Sequence, residues 1–131
     1  MKTASLQATA DNYKAKLEGL NLPSAQLVII FSSKEILEGS TVINDIKAAC
    51  PEARIVGCST AGEMGDTVED DSISLLCFQF DHTKVKCAAA EISSAEDSYA
   101  TGEKIIKGLL DEDLVGIFVL APGWNINGGD L

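Results

Sequence analysis

A chain of 131 residues with 46% hydrophobic content is long enough to bury one real core and has the size of one ordinary globular domain. Twenty acidic against ten basic residues leave a formal charge of -10, which argues against nucleic acid and anionic membrane surfaces as partners. Residues 1–65 carry seven acidic and six basic side chains and residues 66–131 thirteen and four, so the negative excess sits in the second half with no basic patch to offset it.

The opening segment MKTASLQATADNYKAK lacks the apolar stretch of a secretory signal, and the later apolar runs are too short to span a bilayer. Cys50, Cys58, Cys77 and Cys87 have no zinc-knuckle spacing, and three of them lie in or beside apolar runs. Free thiols in a reducing cytoplasm are the expectation.

In chain order, Leu6, Ala10, Tyr13, Leu17 and Leu20 repeat at helical steps and predict a helix ending near Gly19. LVIIF, residues 27–31, reads as a buried strand. Ser32 and Glu35 have capping-box spacing before a helix that carries Ile36, Ile43, Ile46 and Cys50 inward and stops at Pro51. Residues 54–58 read as a second buried strand, parallel to the first through a right-handed crossover. Residues 72–80 and 84–92, separated by Asp81, His82 and Thr83, have the spacing of an antiparallel hairpin. Ser94 and Asp97 then repeat the capping signal before a helix through Tyr99, Ile105, Leu109 and Leu110, and residues 114–120 return as an apolar strand. The expected fold class is α/β, a mixed parallel and antiparallel sheet with flanking helices. The chain stops in a turn where such a fold would place its next helix, so an incomplete domain prone to self-association is expected.

Two segments could carry chemistry. Gly57, Cys58, Ser59, Thr60, Ala61, Gly62 and Glu63 follow the second strand, and in an open sheet the carboxyl ends of parallel strands are where crevices form. Small residues admit a ligand close to the backbone, and hydroxyls and successive amides can donate to an anion. The alternative is a tight turn in which Ser59 and Thr60 bond their own backbone. Gly123, Trp124, Asn125, Ile126, Asn127 and Gly128 follow the last strand. There Trp124 offers an apolar platform and the two asparagines offer amides, the alternative being a turn with a cap by Asn127. If both strands are parallel, the two loops share one crevice, with the anionic end of a ligand at Ser59 and Thr60.

Other chemistries fit less well. Gly57, Gly62 and Gly65 match neither the phosphate-binding loop nor the dinucleotide fingerprint. Ser59 lacks the glycines of a nucleophile elbow, the single histidine, His82, sits in a predicted turn, and the acidic run Asp66, Glu69, Asp70 and Asp71 does not have calcium-loop spacing. Cys58 alone keeps an enzyme reading open, as a strand-end thiol without an evident base. A cysteine-dependent enzyme and a structural, partner-binding fragment are the rivals to ligand binding. No cofactor is expected.

The strand ending in Phe31 and Ser32, VGCSTAGE at residues 56–63, SISLLCF at 72–78 and VLAPGWNINGGDL at 119–131 together resemble the N-terminal part of the bacterial and archaeal FIST sensory domain. The likeness extends over almost the whole chain, although the family commonly has aspartate where Pro122 stands. The resemblance implies an intracellular, non-enzymatic ligand sensor, with amino acids among the proposed ligands. It also implies histidine kinases, chemotaxis receptors or cyclic-dinucleotide enzymes as signalling partners. On this reading the ligand-binding residues are Cys58, Ser59, Thr60, Gly62, Trp124, Asn125, Asn127 and Gly128.

Overall fold

The computed structural model describes residues 1–64 and 67–131. They form two compact units, Met1–Val85 and Lys86–Leu131. The first contains a mixed sheet with flanking helices, as the sequence predicts. The second contains one longer helix and extended chain.

In the first unit the apolar run becomes strand β2, Leu27–Ser32. Its β-branched residues suit a pleated, half-buried surface. It pairs in parallel with β3, Arg54–Ser59, with Leu27 opposite Arg54 and Ser32 opposite Ser59. The predicted crossover between them is made by two helices, α2 at Lys34–Gly39 and α3 at Val42–Ala49. A single helix to Pro51 does not form because Ser40 interrupts it. The Ser40 hydroxyl donates to the Ile36 carbonyl at 2.7 Å and accepts from the Val42 amide at 3.2 Å, ending one helix and opening the next. Two short strands, β4 at Glu63–Met64 and β5 at Val68–Glu69, pair with each other.

Strand β6, Ser72–Gln79, lies antiparallel to β2 on one side and to β1, Lys2–Thr9, on the other, giving the order β1-β6-β2-β3. This corrects two expectations. Residues 2–9 are strand rather than helix, because Ala4, Leu6 and Ala8 alternate toward the core and find a ladder on β6; only α1, Tyr13–Gly19, is helical. With both edges of β6 taken by β1 and β2, no edge is left for a hairpin partner, and residues 84–92 form no strand.

The register sorts the sheet into two faces. Ala8, Val28, Ile30, Ile73, Leu75 and Cys77 lie on one face, and α1, α2 and α3 cover it with Tyr13, Leu17, Ile36, Val42 and Ile46. Strand β3 was expected to be buried. It is instead an edge strand, paired only with β2, and Gly57, Cys58 and Ser59 are exposed.

In the second unit a turn of 3-10 helix at Ala95–Asp97 leads into α4, Ser98–Leu109. Ser94 donates to the Asp97 carboxylate at 2.9 Å instead of capping the backbone, so the capping box expected from their spacing does not form. Residues 114–120 are not a strand; no ladder partner is present in their own unit, and Val115 is 94% exposed. Lys86 pairs with Asp111 at 2.6 Å.

Helix α1 is tied to α3 by one carboxylate. Asp45 accepts from the Tyr13 hydroxyl at 2.6 Å and the Thr41 hydroxyl at 2.7 Å, and Lys14 stands 3.4 Å away. The Tyr13 hydrogen bond first, then that of Thr41 and the charge of Lys14, hold this carboxyl below its ordinary range. A depressed folded-state value means that the stabilisation is full above the ordinary carboxylate range and is lost as the pH falls through the folded value. Urea unfolding of wild type and Asp45→Asn, compared at about pH 6 and about pH 3, is expected to show a stability gap that narrows on acidification. At Gly57 a Cβ would collide with the Ile30 carbonyl oxygen and come within 2.7 Å of Ile30 Cγ2. Gly57→Val is therefore expected to cost about 1–3 kcal/mol in the same assay, and an unchanged midpoint would reject this close approach of β3 to β2.

Candidate functional site

The chain leaves β3 on one side of β2 and enters β6 on the other, so the intervening residues must pass across the C-terminal end of β2. Four hydroxyl residues mark that passage. The Thr60 amide donates to the Ser32 carbonyl at 2.9 Å, and the Ser32 hydroxyl donates to the Ser72 carbonyl at 2.8 Å. The Ser33 amide also reaches the Ser72 carbonyl, at 3.3 Å, and the Ser72 hydroxyl donates to the Glu69 carbonyl at 3.1 Å. Ser32 and Ser72 are fully buried, whereas Ser59 and Gly62 are exposed and Thr60 is half-buried.

The residues predicted from the first loop are thus brought to a strand end. Ser59 closes the ladder opposite Ser32, Thr60 begins the crossing, and Gly62 packs under Asp70, whose Oδ1 lies 3.0 Å from where a Cβ would stand. Sequence reasoning read Ser32 only as a helix cap and missed Ser33 and Ser72 as members of this cluster. The available signal was hydroxyl residues at the end of β2 and the start of β6, but their meeting depends on strand order. Gly65 and Asp66 lie outside the described residues. Among the described residues no group of three or more His, Cys, Asp or Glu side chains is placed to hold a metal.

The second predicted loop belongs to the other unit. Trp124 is 75% exposed, and Asn125 adopts a left-handed backbone, φ 53°. Asn127 turns inward on its own segment. Its Oδ1 accepts from the Gly129 amide at 3.1 Å, its side-chain amide donates to Asp130 at 2.6 Å, and its backbone amide donates to the Ser98 hydroxyl at 2.8 Å. These bonds are those of an asparagine-stabilised turn. Gly128 is exposed beside it.

A cleft of about 480 Å³ lies elsewhere in the first unit, lined by Ser5, Gln7, Lys16, Leu20, Thr67 and Glu69. It is broad and open, and Lys16 spends a donor on the Gln7 carbonyl at 2.7 Å. The strand-end cluster holds more hydrogen-bonding groups, bonded to one another across the crossing.

The four cysteines separate by environment. Cys50 and Cys77 are buried and face each other. Burial first, then the neighbouring Cys50, pushes the Cys77 thiol up to about 11, and burial also raises Cys50. Cys58, expected to be partly buried, is exposed because its strand is the sheet edge, and Cys87 is exposed on unpaired chain. Cys58 stands level with Phe31 and Ser74, while Leu27 and Phe78 mark the other end of the sheet, and His82 follows Phe78 beyond that end. Four strand residues alone put about 13 Å between those levels, so His82 cannot serve as a base for Cys58 in this fold.

A family model for the FIST N domain matches residues 26–131. The chain belongs to the FIST N domain family. The match takes in β2, β3, β6 and both glycine-rich loops. FIST domains are sensory and signalling modules, which places this chain in signal transduction at that general level. Neither a curated protein nor a solved structure matches the chain. No helix among the described residues is long and apolar enough to cross a membrane.

The cysteine environments give a direct check of the FIST N domain's core. A thiol-reactive dye added to native protein is expected to label Cys58 and Cys87 promptly and Cys50 and Cys77 only after denaturant is added. Rapid native labelling of Cys77, read by peptide mass spectrometry, would contradict the packing of β6 against α3.

Proposed function

We propose that this chain binds a small ligand non-covalently as the input step of a signalling protein. The observation that carries the reading is the hydroxyl- and amide-rich strand end, where Ser59 and Thr60 stand at the rim of a passage built on Ser32 and Ser72. Hydroxyls and backbone amides at the carboxyl ends of parallel strands suit a carboxylate or another small anion. The chain's formal charge of -10 opposes such a ligand at long range. Salt screens separations beyond about 10 Å at 0.1 M, so donors in contact outweigh the distant field. Amino acids are the leading ligand class. Ligand occupancy would pass to a histidine kinase, chemotaxis receptor or cyclic-dinucleotide signalling protein in the cytoplasm. An exposed Cys58 without His82 in reach supports a non-catalytic reading over thiol chemistry.

Cys58, Ser59, Thr60 and Gly62 form the contact set proposed in the first unit, and Trp124, Asn125, Asn127 and Gly128 are a separate proposed contact loop of the second unit. Because Asn127 already bonds within its own turn, its removal is expected to disturb that loop as well as any contact. Calorimetry and NMR titration with amino acids, small carboxylates and cyclic dinucleotides test the reading on wild type, Ser59→Ala and Asn127→Ala. The expected outcome is binding by one of the first two classes, weakened about 10-fold or more by Ser59→Ala, the scale of one hydrogen bond to a charged group. Binding indifferent to both substitutions, with the fold intact, would reject these loops as the site.

A further inference from the structure

The outer edge of β1 carries backbone groups that no ladder uses. Each residue of an antiparallel strand turns its amide and carbonyl to the same side, and successive residues turn to opposite sides. The Gln7 carbonyl accepts from the Lys16 ammonium at 2.7 Å. The Thr9 amide donates to the Asn12 side chain at 2.9 Å, and the Thr9 carbonyl accepts from the Asn12 amide at 3.2 Å. Gln7 and Thr9 therefore face away from β6, while Ala4, Leu6 and Ala8 face it. By the same alternation the amide and carbonyl of Ser5 point outward, and among the described residues neither has a partner on that side. Ser5 is exposed.

The cleft of about 480 Å³ opens along this edge, within the first unit. Ser5 and Gln7 line it from β1, Lys16 and Leu20 from α1 and the turn after it, and Thr67 and Glu69 from the β5 segment. The Gln7 side chain donates to the Thr67 carbonyl at 3.0 Å, which ties that segment to β1. The volume lies in the range of about 300–1,000 Å³ usual for small-ligand sites. An edge strand with unpaired backbone groups is a template for another strand. Here the template is short, because Asn12 closes it at Thr9. Lys16 stands at the closed end, and an ammonium has three donors, of which the Gln7 carbonyl takes one. The β1 and α1 walls precede residues 26–131 and so lie outside the stretch that the FIST N domain model matches.

We infer that this cleft binds the carboxyl-terminal end of an extended peptide, added as a strand parallel to β1 with its terminal carboxylate on Lys16. Main-chain bonds to a free edge are a general mode of peptide recognition. The charge at the closed end sets the direction. An antiparallel peptide would bring its amino terminus to the Lys16 ammonium, cation against cation, whereas a parallel one brings its carboxylate there. In a parallel ladder one residue bonds the two residues that flank its counterpart. The Ser5 amide thus donates to the carbonyl of the third residue from the peptide's end, and the Ser5 carbonyl accepts from the amide of the last residue. Three residues fill the free edge. The Glu69 carboxylate in the cleft and the chain's formal charge of -10 disfavour acidic side chains, so one carboxylate at the end suits the site better than an acidic peptide. This site is separate from the small-ligand reading of the strand end, which uses Cys58 to Gly62.

The test is an NMR titration of the 131-residue chain with N-acetyl-Val-Thr-Val, whose residues favour extended backbone. Two altered peptides accompany it, one with a C-terminal amide in place of the carboxylate and one N-methylated at the last amide. The protein is tested as wild type, Lys16→Met, Lys16→Arg and Ser59→Ala. The expected result is binding of the free acid with shifts at Ser5, Gln7 and Lys16. The C-terminal amide, the N-methyl group and Lys16→Met should each weaken it about 10-fold or more, the scale of one hydrogen bond to or near a charged group. Lys16→Arg and Ser59→Ala should leave it within about 3-fold of wild type. Binding that ignores N-methylation would mean that the carboxylate sits on Lys16 without a ladder, and would overturn the inference. Shifts confined to Ser59 to Gly62, with loss of binding in Ser59→Ala, would overturn it in favour of the strand end. Because recognition is assigned to the main chain, absence of binding at millimolar peptide would overturn it as well and leave Lys16 as a guard of an exposed edge.

Discussion

Strand β2 has a parallel neighbour on one side and an antiparallel neighbour on the other, and the chain visits them in succession. After β3 the polypeptide must cross the C-terminal end of β2 before it can descend as β6. The backbone groups at that end are therefore covered by protein and need partners from the crossing itself. The Ser72 carbonyl accepts from both the Ser32 hydroxyl and the Ser33 amide, and the Ser32 carbonyl accepts from Thr60. These bonds hold the sheet order in place. They also collect hydroxyl residues from three strand ends at one location, which is why the structural junction and the proposed binding site coincide.

The junction leaves an imbalance in stability. A small domain is stable by only about 5–15 kcal/mol, and one unsatisfied buried hydroxyl costs about 1–3 kcal/mol of that. Elsewhere the first unit obeys the usual rule: Tyr13, Thr41 and Asp45 satisfy one another, and the Gln26 side chain bonds the Phe80 backbone in both directions, at 2.8 and 3.2 Å. Departures from local satisfaction concentrate where proteins meet ligands. The departure falls at β2's end, within the stretch that the FIST N domain model matches.

Much of the local structure was legible. The apolar run at residues 27–31, the parallel pairing with β3, the strand at β6 and the helix beyond Ser94 and Asp97 follow from periodicity and short-range chemistry. The loop containing Ser59 and Thr60 was legible as a strand-end feature for the same reason. What misled was competition between periods and partners. Leu6 and Ala10 fit a helical step, but Ala4, Leu6 and Ala8 fit a strand equally well, and the free edge of β6 decided between them. Residues 84–92 carry strand-like character, but both edges of β6, their expected partner, are taken by β1 and β2. A strand is a relation between two segments, so composition alone cannot establish it.

By itself the sequence determined the α/β class, the core residues of β2 and β6, the glycine-rich loops and, through VGCSTAGE and its companion motif, the family. These are properties of neighbouring residues and of pattern. Tertiary structure alone decided that β6 inserts between β1 and β2, that β3 is an exposed edge carrying Cys58, and that His82 lies off the opposite end of the sheet from it. It alone buried Ser33 at the end of β2 with its hydroxyl unpaired. The reason is physical: burial and hydrogen-bond satisfaction at a strand end depend on which distant segment passes over it, and strand order fixes that passage.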